Sequence, residues 1–368
     1  MTEERAYWLA WSRVPGIGPV TLKRLSDRFG DVRAAWEAPP ADLRGIDGIG
    51  PQSLEVIRQE RDRLDPDTLL VNYSRTNPQF WTPADPGYPS LLLETPSPPP
   101  VLHYRGRPEI LDDPKPFVAI VGTRYPTAYG RRWTRTMSTA LAARGFTIVS
   151  GLAAGIDAEA HRGCLDVGGK TISVLGTGVD VIYPASNRAL YADIERQGLI
   201  LSEYPDGTQP ERGNFPARNR IIAGLSRAVL VMEAPTKSGA LITARFANEF
   251  GRDVFALPGS LDNEQAVGCL GLVNRGAQLI LSEGHVLELL GEMPQLDLVD
   301  MAPAPVAPPP DLDPQLADVL AVLSADSLPF DLVVQQVGTA ASDVSAALLQ
   351  LELFGLVVQV PGMRYRRA

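Results

Sequence analysis

Between residue 116 and about residue 292 the chain alternates short apolar runs with amphipathic stretches broken by glycine. The runs are Phe117–Val121, Thr147–Val149, Thr171–Leu175, Leu199–Leu201, Ala228–Met232, Asp253–Leu257 and Ala277–Leu281. Continuous runs, as opposed to alternating ones, mark strands buried on both faces, which places them in a parallel sheet with helices on each side. The pattern predicts an α/β domain: a Rossmann-like, doubly wound parallel sheet.

Residues 1–64 read as short helices. "RVPGIGPVTLKRL" (Arg13–Leu25) and "LRGIDGIGPQSLEVI" (Leu43–Ile57) are two copies of one pattern, an apolar residue, Gly-Ile-Gly-Pro and an amphipathic helix. Gly16 and Gly18, then Gly48 and Gly50, allow a tight turn that leaves N–H groups free at a helix start. This is the pattern of a helix-hairpin-helix pair that grips DNA phosphates, or of a small SAM-like helical domain that uses the same turns for packing. The second copy has few bases nearby, Arg44 and Arg58. Residues 65–115 are Pro-rich and read as irregular, but "DPGYPSLLLETPSPPPVLHYRG" (Asp85–Gly106) is too apolar for a free linker and is expected to pack as an extension of the next domain.

After the sheet, "DLVDMAPAPVAPPPDLDP" (Asp297–Pro314) is a Pro/Ala linker. Three helical patterns follow, then two strand-like pieces, Leu356–Val360 and Met363–Arg366, around Pro361-Gly362. That order predicts a winged-helix domain whose third helix, Ala341–Gly355, takes the recognition position. Asp343 and Glu352 lie on it and no base does; the bases gather in the final "RYRR". The expected domains are 1–64 (helical), 65–296 (Rossmann-like), 297–314 (linker) and 315–368 (winged helix).

Composition narrows the function. A length of 368 residues fits two or three domains. No apolar stretch approaches the roughly 20 residues of a membrane helix. The opening "MTEERAYWLAW" carries acids where a secretory signal carries bases. Cys164 and Cys269 have no metal-ligand spacing, which fits a reducing cytoplasm. A net charge of −9 opposes non-specific attraction to nucleic acid but leaves room for a local basic groove.

In open parallel sheets the ligand sits at the carboxyl ends of the strands. Three loops there offer glycine, hydroxyl or cation. "VGTRYPTAYG" supplies Gly122, Thr123 and Arg124; "SGLAAGIDAEAHRG" supplies Ser150, Gly151 and Gly155, bracketing a turn whose free N–H groups would face an anion; "EAPTKSGALITA" supplies Lys237, Ser238 and Gly239 before a helix start. A fourth site is "GNFPARNRIIAGLS" (Gly213–Ser226), where Pro216 suits the first helical position and Arg218, Asn219 and Arg220 follow. A helix N-terminus disfavours cations by roughly 0.3–1 kcal/mol each. Either nearby acids (Glu203, Asp206, Glu211) neutralise these arginines, or an external anion sits there. The two point about 200° apart on a helix, so one is expected to face a groove and the other to brace the fold. Arg124 bridging an acid, or Lys237 pairing with Glu233, are the corresponding structural roles elsewhere.

Other chemistries lack support. No G-x-G-x-x-G follows the first strand and no Walker A sequence occurs. His161 has Asp157 and Glu159 close in sequence, an arrangement that suits either acid/base work or a buried structural histidine. No metal cluster or nucleophile turn is visible. The segment "VGCLGLV" (Val267–Val273) is either an exposed self-association patch or core packing.

The loops "IVGTRYPTAYG", "SGLAAGIDAEAHRG", "VLGTGVDVIYPASNRALY", "LSEYPDGTQPERGNFPARNRIIAGLS", "VMEAPTKSGALITARFANEFGRDVFALPG" and "NRGAQLI", in this order, closely resemble the DNA-processing protein A family (DprA, also called Smf) across nearly all of Val118–Ile280. The resemblance implies a cytoplasmic, non-enzymatic, cofactor-free protein. Its partner would be single-stranded DNA taken up in natural transformation, which it protects and onto which it loads RecA. It would act as a homodimer through the Rossmann domain, with single-strand binding protein as a further candidate partner. Carried over, the groove residues are Gly122, Arg124, Arg218, Asn219, Arg220 and Lys237. Thr123 stands where the family often has Ser, Ala240 where Ser is common, and Ala185 and Ala217 where some members carry Lys, so a less basic groove is expected. Phe215 and Tyr125 are candidates for base stacking. The competing class is a nucleotide-hydrolysing enzyme of the phosphoribohydrolase-like group, but "PTKSGALITA" lacks that group's terminal Glu. A pure scaffold is the third possibility.

Overall fold

The computed structural model describes residues 2–291, 312–324, 327–360 and 362–367. These fall into two compact units, one within Met1–Pro294 and one within Gln295–Ala368.

The first unit opens with α1 (Thr2–Trp11), α2 (Pro19–Phe29), α3 (Val32–Glu37) and α4 (Pro51–Arg63). Gly18 and Gly50 are extended residues just before α2 and α4, and Pro19 and Pro51 take the first helical positions. Proline loses nothing there, because that N–H has no helical partner. These are the two copies of the repeated pattern. Trp8, Trp11, Leu22, Leu25, Trp36 and Ile57 form their shared core.

The irregular stretch expected from residue 65 begins instead with a helix, α5 (Pro66–Thr76). Asp65 accepts the Thr68 N–H at 2.9 Å and Pro66 opens the first turn, a start signal overshadowed by the proline-rich composition around it. α5 packs on α1, so the helical packing runs past the boundary expected at 64. Its buried Tyr73 hydroxyl lies 2.6 Å from His103 Nε2, and His103 Nδ1 lies 3.2 Å from the Ser202 carbonyl.

The sheet has nine strands: β1 (Phe80–Trp81), β2 (Leu102–Gly106), β3 (Phe117–Val121), β4 (Thr147–Ser150), β5 (Thr171–Leu175), β6 (Leu199–Ser202), β7 (Ala228–Val231), β8 (Asp253–Ala256) and β9 (Gln278–Leu279), in the order 1-2-6-5-4-3-7-8-9. The seven runs read from the sequence are the parallel strands β3 to β9. β1 and β2 extend the β6 edge antiparallel, and Tyr88 and Leu92, the latter on α6 (Ser90–Leu93), enter the sheet core. The apolar segment before the sheet is thus the extension its composition called for.

Successive strand residues serve opposite faces. Val118, Ile120, Ile148, Leu230 and Phe255 pack under α7 (Ala128–Ala143), α8 (Ile156–Leu165) and α13 (Glu283–Leu289). Ala119, Val121, Val149, Val229, Val231 and Val254 pack under α10 (Asn214–Leu225), α11 (Gly239–Glu249) and α12 (Val267–Val273), while α9 (Arg188–Gln197) covers Leu175 and Ile200. The order turns at β3: the chain builds outward through β4, β5 and β6, then returns to the other side with β7. The crevice of such a sheet opens there, between the β3–α7 and β7–α11 loops.

The second unit comprises α14 (Pro314–Val322), β10 (Leu328–Pro329), α15 (Phe330–Val337), α16 (Ala341–Leu353), β11 (Val357–Val360) and β12 (Arg364–Arg367), around Val319, Leu320, Val333, Val344, Leu348, Leu351 and Val357. Three helices and an antiparallel hairpin make a winged helix, as expected. The linker at 297–314 lies outside the described residues except for its last three, as does Pro361. Among the described residues no single helix is long and apolar enough to cross a membrane.

Candidate nucleic-acid interface

The crevice at the switch point is a cleft of about 510 Å³. Gly122, Thr123, Arg124 and Tyr125 line it from the β3–α7 loop, Arg212, Phe215, Arg218 and Asn219 from the start of α10, and Lys237, Ser238 and Gly239 from the β7–α11 loop. A smaller hollow of about 200 Å³, between Arg124, Gly151, Ala153, Tyr183 and Phe215, adjoins it.

The rim carries exposed charge. Arg124, Arg212 and Lys237 are exposed. The Arg124 guanidinium lies 5.6 Å from the Phe215 ring centre, and the Phe215 and Tyr183 rings sit 5.4 Å apart. Tyr125 is 83% exposed beside them. Apolar rings next to free cations suit a ligand with flat apolar faces and anionic links. Ser238 caps α11, its Oγ accepting the Ala240 N–H at 3.2 Å.

Helix α10 starts at Asn214, two residues before Pro216. Arg218 and Arg220 are therefore its fifth and seventh residues, beyond the turn where the dipole matters most. Both are buried. Arg218 is 5% exposed; its Nη1 donates to the Gly151 carbonyl at 2.7 Å and to the Val174 carbonyl, and its Nε to Asn219 Oδ1 at 3.2 Å. Burial pulls its pKa down to about 10, against the nearby Asp157 charge. Arg220 Nη2 meets Glu203 Oε1 at 2.5 Å, and Asp206 pairs with Arg105 at 3.2 Å. The expected division, one arginine to the groove and one to the fold, holds only in part. Arg220 is a brace that does not line the cleft. Arg218 reaches the cleft floor, with its Nη1 and Nε already serving the chain's own oxygens. Asn219 ties the floor to the β7–α11 loop, Nδ2 donating to the Gly239 carbonyl at 3.1 Å.

Two more expected ligands turn inward. Ser150 is fully buried and its Oγ donates to the Ile120 carbonyl at 2.6 Å. Gly155 has φ +83° and lies so close to the Thr123 carbonyl that a Cβ would collide with it; it brings α8 against the β3 loop and does not line the cleft. Two of the N–H groups expected to be free around Gly151 are engaged. The Gly151 N–H bonds Asp157 Oδ2 at 3.2 Å, and the Ile156 N–H bonds the Thr123 carbonyl at 3.1 Å. The start of α7 is filled likewise: buried Glu233 accepts the Thr127 N–H at 2.8 Å and the Thr127 hydroxyl at 2.6 Å, so it is not a partner held for Lys237.

Of the sites read from sequence, the cleft brings together Gly122, Thr123, Arg124, Arg218, Asn219, Lys237, Ser238 and Gly239. Sequence reading missed Arg212 and Tyr183 and the inward turn of Asp157. Arg212 stands directly before the α10 start, where the repeated loop cations elsewhere could have flagged it. His161 is structural: it is fully buried, Nδ1 lies 2.7 Å from Thr171 Oγ1, and burial lowers its pKa to about 3. Glu159 pairs outward with Arg135 at 2.6 Å and Arg162 at 2.9 Å. In α12, Cys269 and Leu272 enter the core while Val267 stays 39% exposed.

The flanking domains hold their bases differently. In the helical repeats Arg24 donates to the Asp47 carbonyl at 2.8 Å, Arg58 pairs with Glu55 at 2.7 Å and Asp62 at 3.3 Å, and Arg13 lies over the Tyr73 ring at 4.8 Å. On α16 the exposed positions include Asp343, Leu349 and Glu352, whereas Arg364, Arg366 and Arg367 are exposed on β12.

Comparison with known proteins agrees with this architecture. A family model described as DNA recombination-mediator protein A matches residues 79–291, a DprA-like N-terminal HHH domain matches 2–62, and a DprA winged helix domain matches 302–363. The chain is 54% identical to Protein Smf of Synechocystis over 99% of both chains, and 41% identical to Protein Smf of Escherichia coli over 76% of both. Against the crystal structure of DNA processing protein A from Streptococcus pneumoniae it has 38% identity and a TM-score of 0.66, covering 78% of this chain and 98% of that one. The Helicobacter pylori protein, solved to describe its single-stranded DNA binding mode, gives 36% identity and a TM-score of 0.53 over 58% of this chain and 95% of that one. The chain belongs to the DNA recombination-mediator protein A family.

Proposed function

We propose that this chain binds single-stranded DNA in the cleft at its sheet switch point and mediates its use in recombination during DNA uptake. The observation that carries the reading is the joint placement of Arg124, Arg212 and Lys237 with the Tyr183, Phe215 and Tyr125 rings around one cleft, in a chain of net charge −9. Cations that track phosphates and rings that stack on bases are the two parts of a sequence-tolerant single-strand site. That the Streptococcus relative is a DNA processing protein, and that the Helicobacter relative was solved for its single-stranded DNA binding mode, supports the substrate class. On this reading the protein acts by binding, works as a homodimer, and passes the strand to a RecA-type recombinase; family membership supports that role.

The test is fluorescence anisotropy with a labelled single strand and unlabelled single- and double-stranded competitors. Three phosphate contacts give a slope of log K against log salt of about −2. Arg124→Ala/Lys237→Ala should bind weakly with a slope nearer −0.7. Unchanged affinity and slope in that variant would refute the site. No binding by the wild type would refute the function.

A further inference from the structure

Phosphates commonly seat at a switch point because loop amides and helix N-termini converge there. In this cleft those donors converge on a group the chain itself supplies. Asp157, in the first turn of α8, lines the cleft yet is only 6% exposed. Its Oδ2 accepts the Gly151 N–H at 3.2 Å. The backbone amides of Ala153 and Gly122 and the Arg218 charge also act on this carboxylate, each lowering its pKa against the burial that raises it. Amides from two loops with a guanidinium beside them are the donor set that a tetrahedral anion would use. Gly122 also shows how closely the loops meet, since a Cβ there would lie 2.5 Å from the Ile156 side chain and 2.8 Å from the Glu233 carbonyl.

We propose that Asp157 is a specificity-determining residue: its carboxylate fills the phosphate seat of the switch point. A terminal phosphate monoester, such as that of a mononucleotide, is thereby turned away, and the diester phosphates of a strand are left to Arg124, Arg212 and Lys237 on the rim. The inference rests on the single-strand reading above and adds the exclusion of the smaller ligand. Two effects act together. The seat's donors are already satisfied, and a fixed negative charge lies where a dianion would have to approach.

Removing the carboxylate should open the seat. In thermal melts of the full chain, Asp157→Ala in sodium chloride should melt below the wild type, because the Gly151 amide loses its acceptor and Arg218 loses a nearby compensating charge. Inorganic phosphate at equal ionic strength, in hundredfold excess over its Kd, should raise the variant's Tm by roughly 5 °C or more. The wild type should not move. An equal shift in the wild type, or none in the variant, overturns the proposal. If Asp157→Ala does not fold in chloride, Asp157→Asn serves: inorganic phosphate should displace a labelled single strand from it at concentrations at least about tenfold lower than from the wild type. Equal displacement overturns the proposal. The two readings fail separately. A wild type that binds no single strand removes the cleft function, whereas the phosphate shift of Asp157→Ala judges the seat alone.

Discussion

Arg218→Met separates a brace from a ligand. Methionine keeps an unbranched stem and removes the guanidinium. The loss comprises the bonds to the Gly151 and Val174 carbonyls and the contact to Asn219, all buried. It also leaves Asp157 without its compensating charge. Hydrogen bonds to a charged donor contribute about 1.5–3 kcal/mol each. Removing the positive charge near buried Asp157 adds to this, by less than the loss of one partner of a contact ion pair. These terms describe overlapping interactions, so about 4 kcal/mol is the expected total. Urea unfolding at neutral pH reads it directly, with Lys237→Met as the exposed control, expected within about 0.5 kcal/mol of wild type. The penalty should shrink as the pH falls, because Asp157, its pKa already raised by burial, then takes up a proton. With Arg218 as a brace of the floor, the salt slope for single-strand binding should stay unchanged in Arg218→Met. Wild-type stability together with a slope reduced by about 0.7 would refute the reasoning and make Arg218 a strand ligand.

Phe215→Ala should weaken single-strand binding by about 1–3 kcal/mol with the salt slope preserved, while Phe215→Tyr should stay close to wild type; anisotropy across a salt series checks both. Stability should fall as pH drops below about 6.5. His103 and His161 are held neutral by burial, with pKa values lowered to about 4 and about 3, so the unfolded chain takes up protons that the folded chain refuses. Each histidine contributes up to about 1.4 kcal/mol per pH unit until its folded pKa is reached. Urea midpoints from pH 7 to pH 4 should show the loss, reduced by about half in His161→Asn; a midpoint flat across that range would count against it.

The sequence by itself determined the elements and their order. β3 to β7 were legible because strands buried on both faces show long apolar runs, β8 and the half-buried edge strand β9 because their runs continue the same alternation with helices, and the repeated Gly-Ile-Gly-Pro turns because glycine and proline suit that helix entry. The loops bearing Arg124 and Lys237 followed from the rule that a parallel sheet presents its carboxyl ends to ligand. Tertiary structure decided which polar groups remain available. Arg220 met Glu203, seventeen positions back; Arg218 met Gly151, sixty-seven back; Glu233 met Thr127, a hundred and six back. Asp157 accepts the Gly151 N–H six positions back, and the field of Arg218, sixty-one positions on, reaches it. A charge is free or engaged according to what lies within about 4 Å and how much water is left around it. Neither condition is encoded in the few residues on either side. The same physics explains why the unusual arginines of α10 became supports of the cleft floor, and why its exposed cations stand on the surrounding loops.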